Sequence, residues 1–236
     1  MTTKKVQRSE DLRKPVHQKE IAALENEIVA RLKLLNNRTT QSVRSVRREF
    51  SKQLAKAPPE LIVDLALKLT RGQTVPRFFA YELVQHHPTA PRSLKAKSLE
   101  ELGHGNNNWG AVDAFACYLA GPAWREGQVS DALIRRWTRS RDRWWRRTAL
   151  VTTVPLNNKA RGGRGDTLRT LNICKLLLTD RDDMVVKALS WSLRELSKRD
   201  PKSVRQFLTE NESTLAPRIA REVRNKLQTG LKNPRK

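Results

Sequence analysis

The sequence predicts an all-α chain, and three observations carry that expectation. Apolar residues recur at intervals of three and four almost without a break from Ile21 to Leu231. Prolines stand where first helical turns would lie, and the period-two alternation of a half-buried strand is absent. The first helix runs from Glu20 to Leu35, with Ile21, Leu24, Ile28, Leu32 and Leu35 on one face. Thr39 or Thr40 caps a second helix through Val43, Val46, Phe50 and Leu54, since a hydroxyl oxygen there can accept from an unsatisfied first-turn N–H. Pro58-Pro59 opens a third over Glu60 to Leu69, because proline has no N–H to lose in a first turn. Pro76 opens a fourth through Phe79, Leu83 and Val84, ending before Pro88. Further helices are predicted over Trp109 to Leu119, Ser130 to Thr138, Asp142 to Val154, Asp166 to Leu178, Asp183 to Lys198, Pro201 to Glu210 and Pro217 to Leu227.

The helices recur. Arg141-Asp142-Arg-Trp-Trp-Arg-Arg147 and Arg181-Asp182-Asp-Met-Val-Val-Lys187 align with a step of 40 residues, each placing an Arg-Asp turn ahead of a helix and a basic residue six positions after the Arg. Helix pairs at a period of roughly 40 to 47 residues are the mark of HEAT or armadillo stacking. The expected architecture is therefore a HEAT-like solenoid whose inner helices line a concave basic groove, with Trp109 to Leu119, Asp142 to Val154 and Asp183 to Lys198 as inner helices. Gly162-Gly-Arg164-Gly165, within Lys159 to Asp166, interrupts the pattern. It lacks the Gly-Lys-Ser/Thr ending of a phosphate-cradling loop and no strand precedes it, so it is either a nucleic-acid backbone contact or a solvated connector.

Lys and Arg number 47 against 24 Asp and Glu, a formal charge of +23. Such an excess argues about partners rather than fold, and points first to nucleic acid; a generally basic lineage is the bland alternative. Cys117 and Cys174 sit in apolar helical patterns and read as buried hydrophobes of a reducing compartment. No stretch approaches the roughly 20 apolar residues that span a bilayer, and the polar start lacks the apolar region of a signal peptide. The expected organisation is a disordered basic arm over residues 1–19, one domain over 20–231 and a basic tail over 232–236, in a cytoplasmic, nucleoid-associated monomer. His86-His87-Pro88 invites a metal reading, but no Cys, Asp or Glu stands at ligand spacing on the same face, so it reads as a helix C-terminus.

Trp109 and Asp113 stand four residues apart, which stacks an indole and a solvent-facing carboxylate on one helix face. A carboxylate on a cationic surface opposes the charge of the rest of the chain. It makes sense where positive charge develops at one spot during a reaction on a polyanion. Asp113 can equally be the structural partner of an arginine on a neighbouring repeat. The equivalence of Arg147 and Lys187 in the repeat also permits a structural role for both, and Trp124, Trp137 and Trp144 read as packing.

Four segments in order resemble one family. They are Asn108-Trp109-Gly-Ala-Val-Asp113, Trp144-Trp-Arg-Arg147-Thr-Ala-Leu, Lys187-Ala-Leu-Ser-Trp191-Ser-Leu-Arg-Glu195 and Ser197-Lys-Arg-Asp-Pro201-Lys-Ser-Val. Together they resemble the DNA alkylation repair glycosylases of the AlkD type, which are HEAT-like solenoids; in the first half only the helix pattern and Asn37-Arg-Thr39 are similar. The resemblance implies excision of N3- and N7-alkylated purines from double-stranded DNA by hydrolysis of the N-glycosidic bond, without cofactor or metal. It implies Asp113 as the catalytic carboxylate, Trp109 and Trp191 as aromatics flanking the lesion's sugar and backbone, and Arg147 as a phosphate contact. Lys187 and Arg194, with Thr39, Arg44 and Arg47 of the first half, are the further expected DNA contacts. The chain departs from the pattern at Gly110-Ala111, smaller than the residues usual there, and in the longer loop over Lys159 to Asp166. A non-catalytic DNA- or RNA-binding solenoid is the alternative.

Overall fold

The structure, a computed structural model, describes residues 3–72 and 75–234, with side chains from residue 17 onward. All regular structure among these residues is helical, as the apolar periodicity requires. Contacts gather the chain into two units, Met1–Leu102 and Gly103–Lys236. The division expected from composition (an arm over 1–19, one domain over 20–231, a tail over 232–236) stays an expectation, since residues 1–2 and 235–236 lie outside the described residues.

In the first unit, helix α1 (Thr3–Lys33) buries Ile21, Leu24, Ile28 and Leu32 against α2 (Thr40–Gln53) and α3 (Pro59–Gly72). These are four of the five apolar positions that the three-and-four spacing selects. Thr39 caps α2 by accepting from Ser42 N at 3.1 Å. Helix α4 (Arg77–His86) packs on α2 and α3 through Phe79, Leu83 and Val84. His87 ends it and turns the chain, its Nδ1 accepting from Ala90 N at 3.0 Å, which makes the histidine pair a helix terminus. Two short helices, α5 (Ala90–Ser93) and α6 (Ala96–Gly103), fill a stretch where the sequence pattern predicts none.

The second unit begins with α7 (Trp109–Phe115), which runs through a wide π-helical turn (Ala116–Ala120) into α8 (Gly121–Arg125). The expected helix over Trp109 to Leu119 thus continues past Pro122. A proline inside an α-helix clashes with the carbonyl four residues back and leaves it unpaired, and the π register, with Gly121 N donating to Ala116 O, accommodates it. Gly121 is required there, because a Cβ would stand 2.8 Å from Pro155 Cγ and from Thr152 O.

Helices α9 (Asp131–Thr138), α10 (Arg143–Val151), α11 (Val154–Asn157), α12 (Thr167–Leu176), α13 (Asp183–Leu196), α14 (Pro201–Glu210) and α15 (Pro217–Thr229) complete the unit. Helix α10 packs on both α7 and α13, and α13 on α15, so these four form one row; α9, α12 and α14 pack beside it. The 40-residue step has a local cause. Asp142 caps α10 by accepting from Trp144 N, and Asp182 caps α13 by accepting from Met184 N, each at 2.9 Å. The core holds Val112, Phe115, Leu150, Val185, Leu189, Leu193, Ile219 and Val223, all 1 % exposed or less. Trp124 and Trp137 are buried as expected of packing residues, whereas Trp144 is half-buried under the Arg143 guanidinium, 5.0 Å from its ring. Trp145, not singled out by its sequence context, instead joins Phe115 and Trp137 with centroids 6.2 and 4.9 Å away. Each large side chain so buried contributes about 1.5–3 kcal/mol.

Candidate active site

Asn108 starts the site. Its side chain accepts from Ala111 N at 2.9 Å, ending the preceding turn and fixing the first residues of α7. Trp109 is then the first helical residue, with no turn before it to pack on, and it is 63 % exposed. Asp113 lies one turn later, facing α10. There the structure differs from the expectation of a solvent-facing carboxylate: the Asp113 side chain is only 18 % exposed. Arg147 Nε donates to Asp113 Oδ1 and Arg147 Nη2 to Oδ2, both at 2.9 Å, in the two-pronged geometry that a planar guanidinium makes with a carboxylate. Arg147 Nη1 donates to Met184 O at 2.6 Å, tying the pair to the first turn of α13. Burial pushes the Asp113 carboxyl above the ordinary carboxylate range, and the hydrogen bonds and charge of Arg147 work against that rise.

Arg147, expected at a DNA phosphate, is therefore buried and committed on three N–H groups to protein acceptors. Trp191 sits on α13, half-buried. Lys187, one turn before it, is 2.6 Å from Asp183 Oδ2, and Arg218 of α15 donates to the other oxygen of that carboxylate at 3.0 Å. Arg194 donates from Nε to Ser190 Oγ at 3.2 Å and faces the buried Glu222 at 4.0 Å. In the first unit Thr39 is the exposed cap of α2. Arg44 pairs with Glu82 at 2.7 Å and lies over the Phe78 ring, while Arg47 is buried 3.3 Å from the same Glu82. The structure thus brings Asp113 and Arg147 into contact and holds Arg44 and Arg47 on one internal carboxylate.

The arginine–carboxylate contacts that join neighbouring helices differ in access. The side chains of Glu82 and Glu222 are 4 % and 2 % exposed, so their oxygens face protein alone. Asp113, at 18 %, keeps part of its side chain accessible one helical turn after the exposed Trp109. What sequence reasoning missed is Met184, whose contribution is a backbone carbonyl and carries no residue-type signal. Among the described residues no group of three His, Cys, Asp or Glu could hold a metal ion, and no helix is long and apolar enough to cross a membrane. The Cys117 thiol is pushed up to about 12 by burial, which keeps it protonated and unreactive.

A family model described as "DNA alkylation repair enzyme" matches residues 10–227. Among solved structures, one titled a predicted DNA alkylation repair enzyme from Enterococcus faecalis superposes with a TM-score of 0.65 at 17% identity, covering 81% of this chain and 86% of that one. No match is found among curated proteins. The solved structure supports the fold alone at that identity. The family model spans nearly all of the described helices, including those that carry Trp109, Asp113, Arg147 and Trp191, and on that match the chain belongs to the DNA alkylation repair enzyme family.

Proposed function

We propose that this chain is a monofunctional DNA glycosylase that hydrolyses the N-glycosidic bond of cationic N3- and N7-alkylated purines in duplex DNA. The observation that carries the reading is the Asp113 carboxylate, gripped by Arg147 on both oxygens yet partly accessible one helical turn after the exposed Trp109. An N3- or N7-alkylated purine carries its own positive charge and leaves as a neutral base, so no general acid is needed. The costly feature is positive charge developing on the deoxyribose, as in other glycoside hydrolyses. A carboxylate fixed near that carbon stabilises the transition state more than the ground state. Each Asp113 oxygen has lone pairs beyond the one that Arg147 occupies, and these can face the sugar or orient the attacking water. Arg147 acts through Asp113: its fork fixes the carboxylate's orientation, and its charge favours the ionised form against burial. Trp109 offers an indole face to the sugar edge and the cationic base, with Trp191 of α13 as the second aromatic. The row α7, α10, α13 and α15 supports reading this unit as stacked repeats whose accessible cations meet the phosphate backbone, Lys187 among them once it exchanges Asp183 for a phosphate.

One observation favours a second reading, a non-catalytic DNA-binding protein: Glu82 with Arg44 and Arg47, and Glu222 with Arg194, show that this chain also uses arginine–carboxylate contacts as plain links between helices. Incubation with a duplex holding a single N7-methylguanine, scored by alkaline cleavage at abasic sites, separates the two. Excision by the wild-type chain and its loss in Asp113→Asn supports the glycosylase; binding without excision supports the alternative.

A further inference from the structure

The segment from α11 to α12 forms a cleft that the proposed excision chemistry leaves unused. It has a volume of about 210 Å³ and is lined by Arg125, Glu126, Leu156, Arg164, Gly165, Asp166 and Arg169. The glycine-rich loop that builds it is held at many points. Arg199 donates to Asn157 O at 2.8 Å and to Gly163 O at 2.7 Å, and Arg125 Nη1 donates to Arg161 O at 2.6 Å. Gly165 N reaches Leu156 O, and Asp166 N reaches the Asn157 side chain, both at 2.9 Å. Gly163 lies so close to its neighbours that a Cβ would stand 2.5 Å from Pro155 O. The loop is thus held in place at several points, while Gly162, Arg164 and Gly165 are exposed.

Charge inside the cleft is unevenly satisfied. Arg125 Nε pairs with Glu126 at 2.8 Å. Arg169 pairs with Asp166 at 2.5 Å, donates to Trp124 O at 2.9 Å and stacks on the Trp124 ring. Arg164 is exposed and makes no hydrogen bond or ion pair among the described residues. Three guanidinium groups thus meet two carboxylates, and the surplus cation sits on this tied loop. Fixing like charges together without a counter-charge is unfavourable, and a bound anion relieves it at little ordering cost because the loop is already in place. The cleft also lies near the helices of the excision site. Arg161 stacks over Tyr118 at 5.2 Å, and Asn158 donates to Glu195 at 3.1 Å. Tyr118 follows Asp113 by five residues and Glu195 follows Trp191 by four, so at a rise of about 1.5 Å per residue the loop is anchored about 6 to 8 Å along each helix.

We propose that this cleft is an anion site for one phosphate group, with Arg164 as its open cation and Arg125 and Arg169 as its walls. The phosphate comes either from the backbone of a duplex engaged at Asp113, an arm that rests on the DNA reading above, or from free inorganic phosphate. The test compares wild type with Arg164→Ala and Arg164→Lys. Binding of an undamaged duplex is followed by fluorescence anisotropy over a salt series, and inorganic phosphate is titrated at constant ionic strength while the loop amides are followed by NMR. For a backbone phosphate, the slope of log affinity against log salt falls by about 0.9 in Arg164→Ala and returns in Arg164→Lys. For free phosphate, the loop amides shift saturably in wild type and not in Arg164→Ala, while the duplex slope is the same in both. An unchanged slope together with no saturable shift overturns the site. Failure of wild type to bind duplex at all would instead defeat the DNA reading, and the phosphate titration would still decide the cleft.

Discussion

Replacing Asp113 by Asn tests the proposed chemistry and the architecture together, because the residue proposed to stabilise the sugar cation is also the one that links α7 to Arg147 of α10. The amide keeps the shape and one acceptor, but its NH₂ faces an Arg147 N–H that the second carboxylate oxygen now accepts at 2.9 Å. One guanidinium donor is orphaned and the partner charge is lost. Removing one member of a fully buried pair costs about 3–5 kcal/mol, and an orphaned buried donor about 1–3. Asp113 is partly open, and Arg147 keeps its bond to Met184 O, so the lower range applies, about 2 kcal/mol. At about 2–4 °C per kcal/mol for a chain of this size, the melting temperature falls by about 4–8 °C. A solvent-facing Asp113 would leave it unchanged. Excision of N7-methylguanine, measured by single turnover below both melting temperatures, falls at least tenfold, about 1.4 kcal/mol of barrier or more. Asp113→Asn combined with Arg147→Met separates the duties, since removing both partners restores most of the melting temperature and none of the excision. Full excision by Asp113→Asn, with the expected fall in melting temperature, would show a structural link and end the catalytic assignment.

Three further outcomes follow from the same geometry. Single-turnover excision falls as pH drops through the Asp113 pKa, which burial raises above the ordinary carboxylate value, so a rate profile from pH 4 to 8 places its acid limb above that of an exposed aspartate; a flat profile contradicts the need for ionised Asp113. Trp109→Ala, at a position 63 % exposed, shifts the melting temperature by less than about 2 °C but lowers excision several-fold, read by calorimetry and by the same cleavage assay. In a panel of single-lesion duplexes at excess enzyme, N3-methyladenine and N7-methylguanine are released while hypoxanthine, 8-oxoguanine and uracil stay in place, since all four histidines lie at position 104 or earlier and outside the matched segments; release of uracil would reveal a general acid at the site.

The all-α class was legible because helical periodicity is a property of the sequence alone, and Ile21, Leu24, Ile28 and Leu32 are buried where that period puts them. The 40-residue step was legible for a similarly local reason, since Asp142 and Asp182 each cap the helix that follows. What depends on a partner distant in sequence was not. The helix through Pro122 needs a π register whose only sequence trace is a glycine beside the proline. Trp145 looks no different from Trp144, yet α10 turns the first toward Phe115 and Trp137 and leaves the second under Arg143. In the site, residue types named Asp113 and Arg147, but 34 residues separate them, and no spacing rule says that they bond to each other.

That bond changes how the site is understood. A free arginine at Arg147 would belong to the phosphate, and Asp113 would be an ordinary surface acid whose orientation had to be selected at each encounter. On the proposed chemistry, a carboxylate held by the fork has its direction fixed before substrate arrives, so little reorganisation remains for the moment when charge develops on the sugar. The pairing lowers the field that Asp113 can exert, yet it also favours the ionised form against the burial that pushes the carboxyl above its ordinary range. A carboxylate that is half dry, ionised and immobile stabilises a passing sugar cation better than a hydrated one, because water at the surface would screen the same charge. On the proposed chemistry, the partial burial that makes Asp113 resemble the structural links at Glu82 and Glu222 is, with part of its side chain left accessible one turn from Trp109, also what catalysis requires.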